Sequence, residues 1–225
     1  MNLVGFGCSF TYGSELLDPE LDGSWDRHND NTPYREKHTW LGQLAERLDA
    51  KAINLAEPSS SNYSIQEKFA GYIHENDCSD TIICIGWTHY LRHSWWSDDE
   101  SRWIHDGFIR YNNELLFKAS FKEWLTQSYG RCELVTRHAK LFVNSVCKAR
   151  GIRLIQFDAL DSGNDKNNYP NYHQRRLSMK QCLEDEQKRL QKTFLSNGNH
   201  PNEAGHAYYV KLLAGWIRAR KILDV

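Results

Sequence analysis

The feature that most constrains this chain is its first thirteen residues, MNLVGFGCSFTYG. Residues 2–6 form a short apolar run closed by turn residues, the pattern of a buried strand. Gly7, Cys8 and Ser9 then break the strand. A serine so placed stands at a strand's carboxyl end, where open α/β sheets hold their ligands. Backbone N–H groups around such a turn can also hold a developing oxyanion. A Gly-x-Ser is equally a plain strand-ending turn, so the rest of the chain has to decide between the two.

That remainder alternates. Runs at 52–55, 81–86 and 152–157 read as further strands. Helical spacing covers 38–48, 63–74, 133–150 and 202–223, and a charged helix-prone stretch covers 173–194. Strand and helix in alternation predict a parallel sheet with right-handed crossovers. The expected fold class is α/β: a three-layer α/β/α, flavodoxin-like sheet of about five strands with helices on both faces. The 225 residues, 40% of them hydrophobic, suit one domain over 1–225.

Two stretches interrupt the alternation. Residues 12–37 are polar and read as a long loop over the site. Residues 88–130 are rich in aromatics, from Trp95 and Trp96 to Trp124 and Tyr129. They read as an insertion with helical pieces, clearest over 113–128. Aromatic faces suit an acyl or sugar pocket, but packing onto the body or another subunit is their more ordinary use.

The far end of the chain changes the weight of Ser9. Residues 197–206 read NGNHPNEAGH, just ahead of the last helical pattern. An early serine at a strand end plus a late His-Pro before a terminal helix resembles the SGNH (GDSL-type) hydrolase superfamily. Its first block, Gly-Asp-Ser-x-Thr, appears as Gly7-Cys8-Ser9-Phe10-Thr11, and its last, Asp-x-x-His-Pro, as Asn197-Gly198-Asn199-His200-Pro201. Its second block carries a loop glycine, and NLAEPSSSN resembles it with Ser59 at that glycine's place. Its third, Gly-x-Asn-Asp, appears as Gly86-Trp87-Thr88-His89, with Thr88 where the family has asparagine. Through these ordered blocks the resemblance covers most of the chain.

The resemblance implies a serine esterase or deacetylase acting on short acyl esters, an acylated sugar among them, with no cofactor and no metal. Ser9 is the implied nucleophile and His200 its general base, with Asn197 at the place of the orienting aspartate. Ser9, Ser59 and Thr88 are the implied oxyanion donors, and Trp87 and Asn62 the implied substrate contacts. Ser61 and Asn62 also read as plain helix caps. An asparagine can orient an imidazole but cannot stabilise an imidazolium by charge. In a serine protease the Asp-to-Asn change lowers turnover about 10⁴-fold. Three outcomes stay open: a Ser-His dyad, recruitment of another carboxylate with Asp158 a distant candidate, or a fold that has lost catalysis. Cys8 is a minor candidate nucleophile, and His206 reads as structural. The competing reading is a non-catalytic SGNH-fold binding or structural protein that works through the Trp-rich insertion.

Composition bounds the partners. A formal net charge of −1 and a pI of about 6.8 supply no basic field, so nucleic acid is not expected. No apolar run nears the roughly 20 residues of a membrane span, and no basic leader precedes the first strand. The expected location is the cytoplasm, with carriage in a virus particle and homo-oligomer formation left open. The six cysteines are scattered, with no CxxC pair, and read as reduced buried thiols. His89 and His93 have helical i, i+4 spacing but no third ligand nearby, so no metal is expected. A flavodoxin-like nucleotide binder would need a glycine-rich phosphate loop, which the sequence lacks.

Overall fold

Strand β1 (Asn2–Gly7) lies inside the sheet, hydrogen-bonded on both edges, and this places everything else. The structure is a computed structural model describing residues 1–18, 32–97, 102–106, 129–160 and 178–222. Strands β2 (Lys51–Asn54), β3 (Thr81–Trp87) and β6 (Arg153–Asp158) complete a four-stranded sheet of order β2-β1-β3-β6, every pair parallel. This is a doubly wound order. All four strands end at one rim, so the loops that follow them meet there.

The pleat sends neighbouring residues to opposite faces. Leu3 therefore packs with Ile82, Ile155 and Phe157 on one side, against α3 (Trp40–Arg47), α6 (Met179–Leu190) and α7 (Glu203–Ala219). Val4 and Phe6 pack with Ile83 and Ile85 on the other, against α4 (Asn62–Glu75) and α5 (Tyr129–Arg150). The expected α/β/α layering is present. Trp40 stands edge-on to Phe157 at 5.0 Å between ring centres, and Phe6 to Phe69 at 6.0 Å. Truncating a fully buried Trp40 to alanine would destabilise by about 3–5 kcal/mol.

Helix starts follow capping chemistry. Thr39 accepts the Gly42 N–H at 3.1 Å to open α3. Ser61 and Ser178 form capping boxes with Ser64 and Gln181 at the heads of α4 and α6. Asn202 accepts the Gly205 N–H at 2.9 Å and opens α7. The cap of α4 is thus Ser61, which leaves the Asn62 side chain for another use.

Two local features depart from expectation. The insertion contains an antiparallel pair, β4 (His93–Ser97) with β5 (Arg102–Asp106), where the sequence suggested helical pieces. The helix expected over 113–128 lies outside the described residues. Part of the polar stretch behind Ser9 is helical, as α2 (Thr32–His38), with Tyr34 stacked on His38 at 4.1 Å. All six cysteines are buried and unbridged. Burial pushes the Cys147 thiol up to about 12, and Cys84 is pushed up further by the same cause. Among the described residues no helix is long and apolar enough to cross a membrane.

Candidate functional site

At the sheet rim β1 turns straight into α1 (Ser9–Tyr12), a single helical turn closed by Gly13 at φ 87°. The Ser9 carbonyl accepts the N–H groups of both Gly13 and Ser14 at 3.0 Å, which locks the turn. Gly7 is required for close approach. A Cβ on it would lie 2.3 Å from the Thr11 hydroxyl oxygen. In the block Gly7-Cys8-Ser9-Phe10-Thr11, glycine and threonine are therefore a packing pair. Asn54 ties the turn to the next loop: its Nδ2 donates to the Thr11 carbonyl at 3.0 Å, and its Oδ1 accepts the Ala56 N–H at 3.2 Å. Ser9 is 5% exposed, whereas Cys8 is wholly buried in the core, where a nucleophile would meet no substrate.

His200 arrives from the other end of the chain on a tight turn. The Ser196 N–H donates to the His200 carbonyl at 2.8 Å, and the Asn199 N–H to the Ser196 carbonyl at 3.0 Å. Leu195 bridges Pro201 across the base of the turn. Pro201 therefore precedes the Asn202 cap and does not open α7. The His200 ring lies against Phe10, the residue after Ser9, at 5.6 Å between ring centres. The turns carrying Ser9 and His200 are neighbours at the same rim.

The partner of His200 Nδ1 is Glu15, whose Oε1 lies 3.0 Å away. The other carboxylate oxygen, Oε2, accepts the Gly198 N–H at 3.1 Å and the Ser196 hydroxyl. Burial works against this charge. The Ser196 hydroxyl, the hydrogen bond and charge of His200, and the Gly198 N–H outweigh it and hold the carboxyl below its ordinary value. Glu15 also sits at φ 67°, a left-handed backbone that non-glycine residues seldom take. With Nδ1 engaged, Nε2 is the His200 nitrogen left to act on a hydroxyl.

Asn197 does not take the position that the sequence assigned it. It is exposed in the turn, while the Nδ1 face of His200 is filled by Glu15 from across the rim. Asp158, the distant candidate, is engaged by Lys140 Nζ at 3.3 Å. Glu15 was lost to sequence reading inside the polar stretch 12–37. The available signal was that a last block without a carboxylate directs attention to acids near Ser9, and Glu15 is the first after it.

The implied oxyanion and substrate residues divide. Ser59 has φ 65°, so the position where the resemblance expects glycine has glycine's backbone. Thr88 is fully buried, its N–H donates to Asn62 Oδ1 at 2.8 Å, and its hydroxyl has no hydrogen-bond partner among the described residues. An oxyanion donor must touch the ligand, and a group this enclosed does not. The Asn62 amide is engaged within the fold. Its Nδ2 donates to the Thr88 carbonyl and to Thr136 Oγ1, both at 3.0 Å, knotting α4, β3 and α5 together. Trp87 is fully buried and its indole N–H donates to Gln156 Oε1 at 3.0 Å, so it belongs to the core.

Below His200, His206 is fully buried and accepts the Trp40 N–H on Nδ1 at 3.0 Å. Burial first, and the charge of His200 second, lower its pKa to about 3, so it stays neutral. His89 and His93 do not share a helix, since β4 begins at His93. Among the described residues no group of three or more His, Cys, Asp or Glu side chains is placed to hold a metal.

No protein-family model and no curated protein matches the chain. Solved structures do. A member of the lipolytic G-D-S-L family from Veillonella parvula DSM 2008 shares 10% identity over 97% of each chain, at a TM-score of 0.39. An acetyl xylan esterase from the rumen bacterium Butyrivibrio proteoclasticus shares 11% over 97% of this chain and 63% of its own, at 0.48. An acetyl xylan esterase from Geobacillus stearothermophilus shares 12% over 100% and 96%, at 0.36. The chain is similar to G-D-S-L-type hydrolases. What each residue does is read from the geometry of this chain.

Proposed function

We propose that this protein is a serine hydrolase of short acyl esters, including acyl groups carried on a sugar, with Ser9 as nucleophile and His200 as general base. The observation that carries the reading is the meeting of the two ends at one rim. The His200 ring packs on Phe10, beside Ser9, and its Nδ1 is held so that Nε2 is the nitrogen left for chemistry. In this reading Nε2 takes the Ser9 hydroxyl proton as the oxygen attacks the ester carbonyl. The tetrahedral intermediate collapses, and the proton passes from His200 to the leaving alcohol. Water, deprotonated by the same imidazole, then releases the acid from the acyl-serine and restores the hydroxyl. The backbone N–H groups of Ser9 and Ser59 are the oxyanion donors. Without Thr88 the hole has two donors, and one donor fewer lowers turnover by roughly 10²–10³-fold in a serine protease.

The test is labelling with a serine-directed fluorophosphonate alongside hydrolysis of 4-nitrophenyl acetate. Wild type is expected to label and turn over, Ser9→Ala to lose both, and His200→Ala to lose turnover. Variants that match wild type, or a wild-type chain that neither labels nor hydrolyses, would return the decision to a non-catalytic binding protein.

A further inference from the structure

We propose that Glu15 is the positioning carboxylate of this site, doing from the serine's own turn what the last sequence block leaves undone at Asn197. The proposal rests on the Ser9–His200 reading and extends it by one residue.

Three independent features place Glu15 here. The first is contact: Oε1 meets His200 Nδ1 at 3.0 Å, the nitrogen a positioning acid has to hold. The second is a cradle built for the other oxygen. Gly198 and Ser196 both donate to Oε2, and the carboxylate packs directly over position 198, where a Cβ would lie 1.7 Å from Oε1 and displace it. The third is strain. A left-handed non-glycine residue costs about 1–2 kcal/mol, and strain of this kind gathers where surrounding structure over-determines it. Backbone bonds on both sides fix Glu15: the Ser9 carbonyl binds the N–H groups of Gly13 and Ser14 just before it, and the Leu16 N–H just after it donates to the Gly13 carbonyl at 3.2 Å.

The chemistry balances without moving a proton onto Glu15. When Nε2 accepts the Ser9 proton, the ring becomes an imidazolium and the adjacent carboxylate stays ionised and stabilises it. The charge is returned when Nε2 gives the proton to the leaving alcohol. His206, which also interacts electrostatically with His200, is held neutral by burial and supplies no competing charge. The resulting arrangement differs in topology from the one the resemblance implies. There the acid and the histidine share one turn. Here acid and nucleophile share one turn, and the histidine alone comes from the other end of the chain.

The experiment compares Glu15→Gln with Asn197→Ala, Ser9→Ala and His200→Ala on 4-nitrophenyl acetate. Glu15→Gln keeps an acceptor for Nδ1 and removes the charge. It is expected to lower kcat by about 10²–10⁴-fold with little change in KM, and to move the acid limb of the kcat/KM profile to lower pH. Asn197→Ala is expected to match wild type. A second readout needs no turnover: the Glu15 carboxyl, followed by carbon NMR, should titrate higher in His200→Gln than in wild type. Glu15→Gln with wild-type rate and profile, while Ser9→Ala and His200→Ala are inactive, overturns the role of Glu15 and leaves the Ser9–His200 reading standing. Ser9→Ala and His200→Ala both at wild-type rate overturn that reading, and the role of Glu15 with it.

Discussion

Two corners of the sheet rim invite comparison. At one, Glu15, His200 and the 196–200 turn carry charge, remain partly exposed and hold residues in left-handed backbone, Glu15 and Asn199 among them. At the other, Asn62, Thr88 and Thr136 form a buried knot with no ionisable group, joined by three hydrogen bonds through one amide side chain. The blocks of the sequence suggested that both corners would face a ligand. The contrast teaches that in this chain the same rim has been divided. One half gathers the ionisable pair Glu15 and His200 beside Ser9, and the other fastens helices to the sheet.

The sharpest way to break that division is to exchange the consequences. His200→Ala should lower kcat/KM by about 10⁴-fold or more while leaving the thermal midpoint within a few degrees. Asn62→Ala should do the reverse. It strands the buried N–H and carbonyl of Thr88 and the Thr136 hydroxyl, at a cost of about 3 kcal/mol. For a chain of this size that is a drop of roughly 6–12 °C in the melting midpoint. An Asn62→Ala protein with unchanged stability and lost turnover would place the knot in the active half after all.

Acidity should separate the corners next. His206 is neutral in the fold, with its pKa lowered to about 3, while in the unfolded chain it takes a proton near pH 6.5. Its contribution is therefore complete above pH 6.5 and is lost as pH falls from there toward 3. Between pH 6.5 and 4.5 the loss amounts to about 2 kcal/mol. Glu15, with a lowered carboxyl pKa, acts in the same sense, its contribution present above the ordinary carboxylate range and lost below it. Chemical denaturation at the two pH values would show the slope. His206→Asn, which keeps an acceptor for the Trp40 N–H, should flatten most of it. The smallest expected effect is at Ser59. Ser59→Gly relieves a φ of 65° and should stabilise the fold by about 1 kcal/mol, read as a rise of a few degrees.

The sheet was legible in the sequence because its signals are local. Apolar runs such as Thr81–Trp87, followed by capped helices, repeat along the chain, and the strand residues divide between two cores as a pleat demands. The rim was legible only where a residue's identity fixes its position. Ser9 follows a strand, and His200 stands between a turn and a capped helix. Glu15 was hidden because its contact with His200 spans 185 positions, and no periodicity reports such a contact. Trp87 and Asn62 misled for the converse reason. Their places beside the expected blocks are right, yet a buried indole N–H and a buried amide have to find partners first. Gln156, Thr88 and Thr136 satisfied them.

One contact also constrains how such a chain can change. At Gly198 the Glu15 carboxylate occupies the space a side chain would take. The two positions are consequently coupled. A longer residue at 198 has to push the Glu15 carboxylate aside, and that movement empties the cradle around Oε2. Substitution at 198 should therefore act largely through Glu15, and add little once Glu15 itself has been replaced. A deep mutational library of this protein should reveal the couple as strong epistasis between two residues 183 positions apart.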